Sequence, residues 1–213
     1  MRGAKRRGKK LPKINDKILL IVENSEKIFF QSYFNHFIEK NYAIKVVAKS
    51  SGSGDKCEIT NFQKMSRKIE TFLEKDNYKA VFVMIDLDTK CFGSERNHDC
   101  LVKLKQEYLP KYNIQKGLKD RFYLFVVCNE IESWFLTIDK KKKHTNSPHE
   151  NHKKEMMKLF NVRSEKEIVE KMLAELSRGN ISLDFSKNNS LQHFIKKLKY
   201  FNKKGQPNES RII

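Results

Sequence analysis

Five carboxylates in this chain directly follow or close upon short apolar runs. Glu23 follows KILLIV, Asp86 and Asp88 follow KAVFVMI, and Glu130 and Glu132 follow RFYLFVV. Acids in those places could ligate a divalent cation through oxygen or move a proton, because ligands of open α/β sheets bind beside the strand ends. Gathered together, such carboxylates repel one another and lose hydration unless a cation compensates. Mg2+ is the natural occupant, since it takes oxygen ligands and keeps waters for a phosphate-bearing substrate. Each position also has an ordinary reading. Glu23 suits the first turn of a helix with Asn24 or Ser25 as N-cap. Asp86-Leu87-Asp88 suits a solvated turn, and Glu132 beside Trp134 suits an amphipathic helix surface.

The acids converge only if the runs before them are neighbouring parallel strands. Continuous apolar runs at 17–22, 79–85 and 121–127 read as strands covered on both faces, and YAIKVVA at 42–48 as a further strand. Helical spacing fills the intervals. Phe30, Phe34, Phe37 and Ile38 share one face of 25–40, with Ile28 and Phe29 broadening the stripe, and Phe62, Met65, Ile69, Phe72 and Leu73 share one face of 58–75. A helix near 98–109 stops before Pro110. Strand–helix alternation predicts an α/β fold of Rossmann-like type, a mostly parallel central sheet flanked by helices. The expected organisation is a basic flexible arm at 1–17, the α/β core at 18–139, a polar linker at 140–154 and a helical C-terminal segment at 155–213 that packs on the core. Helices are expected there at 155–160, 164–178 and 190–201. In the last of these Ser190 serves as N-cap, and Leu191, Phe194, Ile195, Leu198 and Phe201 form an apolar stripe.

Charge narrows the partner. With 44 Lys+Arg against 26 Asp+Glu the formal net charge is +18, which attracts polyanions and points to nucleic acid, RNA or DNA. Arg2, Lys5, Arg6, Arg7, Lys9 and Lys10 of the arm, with Lys196 and Lys197 on the far side of the last helix, are the expected phosphate contacts; a merely solubilising arm is the alternative. No apolar run approaches the ~20 residues that span a bilayer, and MRGAKRRGKKLPK lacks the apolar segment of a secretory signal. Four cysteines without CxxC spacing read as reduced thiols, so the expected location is cytoplasmic, with no membrane partner.

Taken in order, ILLIVENSEKIFFQSYF, KSSGSG, VFVMIDLDT and VVCNEIESWFL resemble the TOPRIM fold of topoisomerases, primases and OLD-type nucleases. The resemblance is closer to the RloB/AbiLii-type TOPRIM proteins of prokaryotic defence loci, and covers roughly residues 1–139. It implies a nuclease dependent on Mg2+ or Mn2+ that cleaves RNA or DNA in defence against phage or mobile elements. In that family pattern Asp86 and Asp88 hold the metal, Glu23 is a ligand or the general acid/base, and Glu132 is a further ligand or orienting group. It also leaves room for a partner protein of the defence locus and for a homo-oligomer. The chain departs from the pattern at Asn24, where the family has Gly, at the shifted pair Ser25-Glu26, and at Leu87, where many relatives have Arg. Those departures motivate a rival, a nucleic-acid-binding module with a degenerate site; an effector active only with a partner is another.

Other constellations carry less. His144, His149 and His152 have no Cys or acid completing a zinc pattern, and Cys91, His98 and Cys100 lack a fourth ligand. SGSGDK lacks the spacing of a P-loop.

Overall fold

Positions 18–22 and 80–85 are apolar throughout, and a strand can bury such a run only when both faces are covered. The structure, a computed structural model, describes residues 15–52, 59–86, 101–127, 131–145 and 151–203. Strand β1 (Asn15–Val22) leads into α1 (Asn24–Phe29), a π-helical turn (Phe30–Phe34) and α2 (Asn35–Tyr42). Then come β2 (Val46–Ser50), α3 (Phe62–Glu74), β3 (Tyr78–Asp86), α4 (Leu101–Tyr108) and β4 (Phe122–Val127). Four further helices follow: α5 (Glu132–Phe135), α6 (His152–Phe160), α7 (Glu165–Ser177) and α8 (Asn189–Lys203). All strand pairings are parallel, in the order β2-β1-β3-β4, so the chain has the expected α/β, Rossmann-like architecture.

Side-chain alternation divides the core into two layers. Ile18, Leu20 and Val22, with Ala80, Phe82 and Met84, face a layer built by α1, α2 and the C-terminal helices. Leu19, Ile21, Val81, Val83 and Ile85 face the opposite layer with α3 and α4. The first layer is aromatic. Trp134, fully buried, has Phe30, Phe34, Phe125 and Phe194 around it with ring centroids 5.3–6.5 Å away. All five stripe residues of the last helix are buried against the core, as the spacing predicts.

Several boundaries differ from the expectations. Asn15–Lys17, assigned to the flexible arm, form the first residues of β1, and the N–H of Asn15 donates to the carbonyl of Asn77 at 2.8 Å. The second strand is Val46–Ser50 rather than 42–48, because Tyr42 ends α2 and Ala43 adopts a left-handed cap at φ 54°. The stretch 25–40 is broken by the π-helical turn, which widens one turn by a residue and resets the helical phase. Phe29 and Phe30 therefore both point inward while Ile28 stays 53% exposed. Within the stretch expected as a polar linker, Thr145 and His152 are both 0% exposed, and α6 begins at His152.

Asn188, not Ser190, caps the last helix. Its Oδ1 accepts from the Leu191 N–H and from the Ser190 hydroxyl, both at 2.9 Å, while Ser190 Oγ accepts from Trp134 Nε1 at 2.7 Å. Asn188 Nδ2 donates to Thr145 Oγ1 at 3.0 Å and reaches Ser133 Oγ at 3.3 Å. One buried amide thus ties α8 to α5 and to the segment before α6. Asn188→Ala is expected to lower unfolding free energy by about 1–3 kcal/mol, since it strands buried donors and acceptors. Urea titration reads this as a lower midpoint at unchanged slope; an unchanged midpoint would show that the network contributes nothing net.

Candidate active site

The strand order reverses between β1 and β3: the chain passes from β1 to β2 on one side, then crosses to β3 on the other. Crevices at such switch points, outside the carboxyl ends, are where open α/β sheets bind ligands. Glu23 and Asp86 stand at these two strand ends.

Glu23 is the N-cap of α1, only 9% exposed. Its N–H donates to Glu26 Oε2 at 3.2 Å, and the two glutamates form a capping box. Glu23 thus stands at the helix start as the N-cap itself, rather than as a first-turn residue behind a cap at Asn24 or Ser25. The π-helical turn that follows α1 is of a kind often found at functional sites.

Asp86 is the last residue of β3 and pairs with Val127 of β4. Ala80, Phe82 and Met84 face the layer of α1 and α5, so strand alternation places position 86 on that same face. Its Oδ1 atom is buried.

Glu132 opens α5 and is 8% exposed. It lines a cavity of about 280 Å³ with Glu26, Ile131, Phe135, Glu165 and Val169. Glu26, 5% exposed, is the carboxylate that the acid-after-strand pattern passes over, because it sits inside a helix. The Glu-x-x-Glu spacing at 23 and 26 was the available signal, by analogy with the Ser-x-x-Glu capping box.

The structure thus brings Glu23 and Glu26 into contact and puts Glu26 and Glu132 on one cavity, with Asp86 at the neighbouring strand end. Asp88 and Glu130 lie outside the described residues, as do Arg2, Lys5, Arg6, Arg7, Lys9 and Lys10. Among the described residues no three His, Cys, Asp or Glu side chains form a ready metal set. The donors that are present are carboxylate oxygens, which suit Mg2+ or Mn2+ rather than zinc. Mg2+ in particular needs only one or two carboxylates beside water and substrate phosphate.

Basic side chains flank this edge. Lys68 Nζ donates to the carbonyl of Ser51 at 2.8 Å, and the Ser51 N–H donates to the carbonyl of Val22, one residue before Glu23, at 2.9 Å. Lys68 belongs to a shallow groove of about 440 Å³ along α3 that also has Asn61, Lys64, Arg67, Thr71 and Phe72. Sequence spacing gave no sign of it, since its cations read as the solvated face of an amphipathic helix. Of the expected C-terminal contacts, Lys196 is exposed, while Lys197 lies with Nζ 5.2 Å from the ring centroid of Tyr123.

A family model described as a domain of unknown function, DUF4276, matches residues 23–203. The chain belongs to the DUF4276 family. No curated protein and no solved structure matches it. The DUF4276 match opens at Glu23 and runs through Asp86 and Glu132 to the end of α8, so every described carboxylate of the candidate site lies within the family's own extent. Among the described residues of this DUF4276 chain no helix is long and apolar enough to cross a membrane.

Proposed function

We propose that this DUF4276 chain is a metal-dependent nuclease, cleaving phosphodiester bonds of RNA or DNA at the carboxyl edge of its sheet. One observation carries the reading: Glu23 and Asp86 stand at the adjoining carboxyl ends of β1 and β3, at the switch point, in a chain of net charge +18. The site is acidic where a metal is needed and the surroundings are basic where a polyanion must approach. The resemblance to RloB/AbiLii-type TOPRIM proteins, and with it a role in defence against mobile elements, agrees with that arrangement.

Asp86, with Asp88 and Glu132, would hold Mg2+ or Mn2+. When bound, such an ion neutralises phosphate charge and makes water a stronger nucleophile. The Glu23 carboxylate takes a proton from the attacking water, and Glu26 positions it by holding the Glu23 N–H at the start of α1. Lys68, Lys64 and Arg67 draw the sugar–phosphate backbone toward the edge.

A second reading has a specific observation behind it. Glu23 and Glu26 are engaged with each other in the capping box, and Asn24 stands where the TOPRIM proteins that the chain resembles have Gly, which together suit a binding module with a degenerate site. Metal-dependent cutting of a nucleic-acid panel separates the two.

On either reading, affinity for nucleic acid should fall linearly on a log–log salt plot, by about 0.7–0.9 per phosphate contact. Deletion of residues 1–14, which spares β1, should lower affinity while sparing cleavage. Flat affinity across salt would remove the case for a phosphate-binding surface. Loss of all cleavage on deletion would make the arm part of the site.

A further inference from the structure

Strand β4 is the outer strand on one side of the sheet, and among the described residues no strand pairs with its second edge. A groove of about 630 Å³ runs along that edge, its floor made by Tyr123, Phe125 and Val126 and its walls by Val102 and Leu109 on one side and His193 on the other. Val102 and Leu109 are 61% and 40% exposed, unusual values for such residues beside a core. The rim is cationic. Lys105 Nζ lies 3.9 Å from the Tyr123 ring centroid and Lys197 Nζ lies 5.2 Å from it. The His193 ring stacks on Phe125 at 5.9 Å and 23°, with Nε2 3.2 Å from the Tyr123 hydroxyl oxygen. No acidic residue is among the described groove lining. Burial holds Lys105 and His193 below their usual pKa ranges, and for His193 the charges of Lys197, Lys105 and Lys196 add to the effect. An anion in the groove relieves that crowding of cations.

The occupant must therefore offer negative charge, a flat apolar face, and donors and acceptors for the edge of β4 that no described strand pairs. A second copy of this chain, with the same +18, brings no excess of negative charge to such a groove. A nucleic-acid duplex buries its base faces and pairing edges. An unpaired nucleotide presents phosphate, ring face and pairing edge together. We infer that the β4-edge groove holds an unpaired nucleotide of a single-stranded nucleic acid, its base against Tyr123 and His193 and its phosphate on Lys105 and Lys197. Strand β4 ends at Val127, which pairs with Asp86 of β3, so a nucleic-acid strand seated along the groove leads toward the carboxyl edge. This deepens the nuclease reading by naming a single-stranded substrate, and rests on that reading only for the link to cleavage.

The test uses the full chain carrying Asp86→Asn, without divalent metal, so that binding is read whether or not the wild type cuts. Fluorescence anisotropy follows a labelled oligothymidylate, a blunt duplex of mixed sequence, and polyglutamate as an acidic competitor. Lys105→Glu/Lys197→Glu is compared with Lys140→Glu/Lys141→Glu, which makes the same charge change at exposed positions. The groove pair should weaken oligothymidylate binding by about tenfold more than the control pair, with duplex binding falling equally in both. Equal loss of oligothymidylate binding in the two pairs overturns the proposal. So does polyglutamate that binds the unsubstituted groove as tightly as oligothymidylate and loses binding in the groove pair, which would make the occupant an acidic peptide. If the groove pair melts below the control, Val102→Asp at the exposed mouth repeats the comparison with the same criteria.

Discussion

Asp86→Asn is expected to reduce phosphodiester cleavage by about 10²–10⁴-fold, while metal-free affinity for nucleic acid stays within about twofold. Asparagine keeps the size and shape of the side chain at the end of β3, so the pairing of Asp86 with Val127 and the buried surroundings persist. Only the charge and its capacity to hold a cation are removed. The affinity arm separates the readings: loss of a carboxylate from a strongly basic chain leaves long-range attraction to polyanions intact or slightly raised. Rates measured over Mg2+ or Mn2+ concentration add a second check, because a weakened metal site shifts the metal dependence as well as the maximum. A variant that cuts as fast as the wild type at every metal concentration places the chemistry elsewhere.

Trp134→Ala should be the most destabilising single change, costing about 3–5 kcal/mol in urea unfolding. Trp134 is fully buried, packs among Phe30, Phe34, Phe125 and Phe194, and donates its Nε1 hydrogen to Ser190 Oγ. Its removal opens a cavity where the π-helical turn, β4, α5 and α8 meet and leaves a buried hydroxyl with one partner fewer. For a domain of this size the melting temperature should fall by about 6–20 °C. Trp134→Phe refills much of the volume but cannot donate to Ser190, so its cost should be about 1–3 kcal/mol. A loss under 1 kcal/mol for the alanine variant would mean that the neighbouring rings collapse into the space, and that the aromatic layer is not what joins the C-terminal helices to the sheet.

The fold was legible where burial is two-sided. In β1, β3 and β4 the central positions are buried on both faces, so the apolar runs at 17–22, 79–85 and 121–127 marked them to within about two residues. The edge strand β2 was misplaced because Tyr42 and Ile44 are apolar for another reason. They pack where α2 ends, while Lys49 and Ser50, polar to the eye, pair with Ile21 and Val22. The phase change at Phe30–Phe34 left no mark, since a π-helical turn changes spacing without changing composition.

The candidate site was legible in the same uneven way. Glu23, Asp86 and Glu132 stand out because each follows or closes upon an apolar run, and the carboxyl edge of a parallel sheet is where such runs end. Glu26 does not stand out, because a glutamate in a first helical turn is common for dipole reasons alone. The β4-edge groove could not be read at all: Val102, Tyr123 and His193 come from three elements and meet only after folding.

We propose that the carboxyl edge, with Asp86 at the end of β3, performs metal-dependent phosphodiester cleavage. The most direct test incubates the wild-type chain and Asp86→Asn/Asp88→Asn with single- and double-stranded DNA, tRNA and messenger RNA, each with Mg2+, with Mn2+ and with chelator. Cutting by the wild type alone, present with metal and abolished by chelator, is the expected result. Intact binding by both proteins with no cutting of any substrate in any metal, or equal cutting by both, would contradict it.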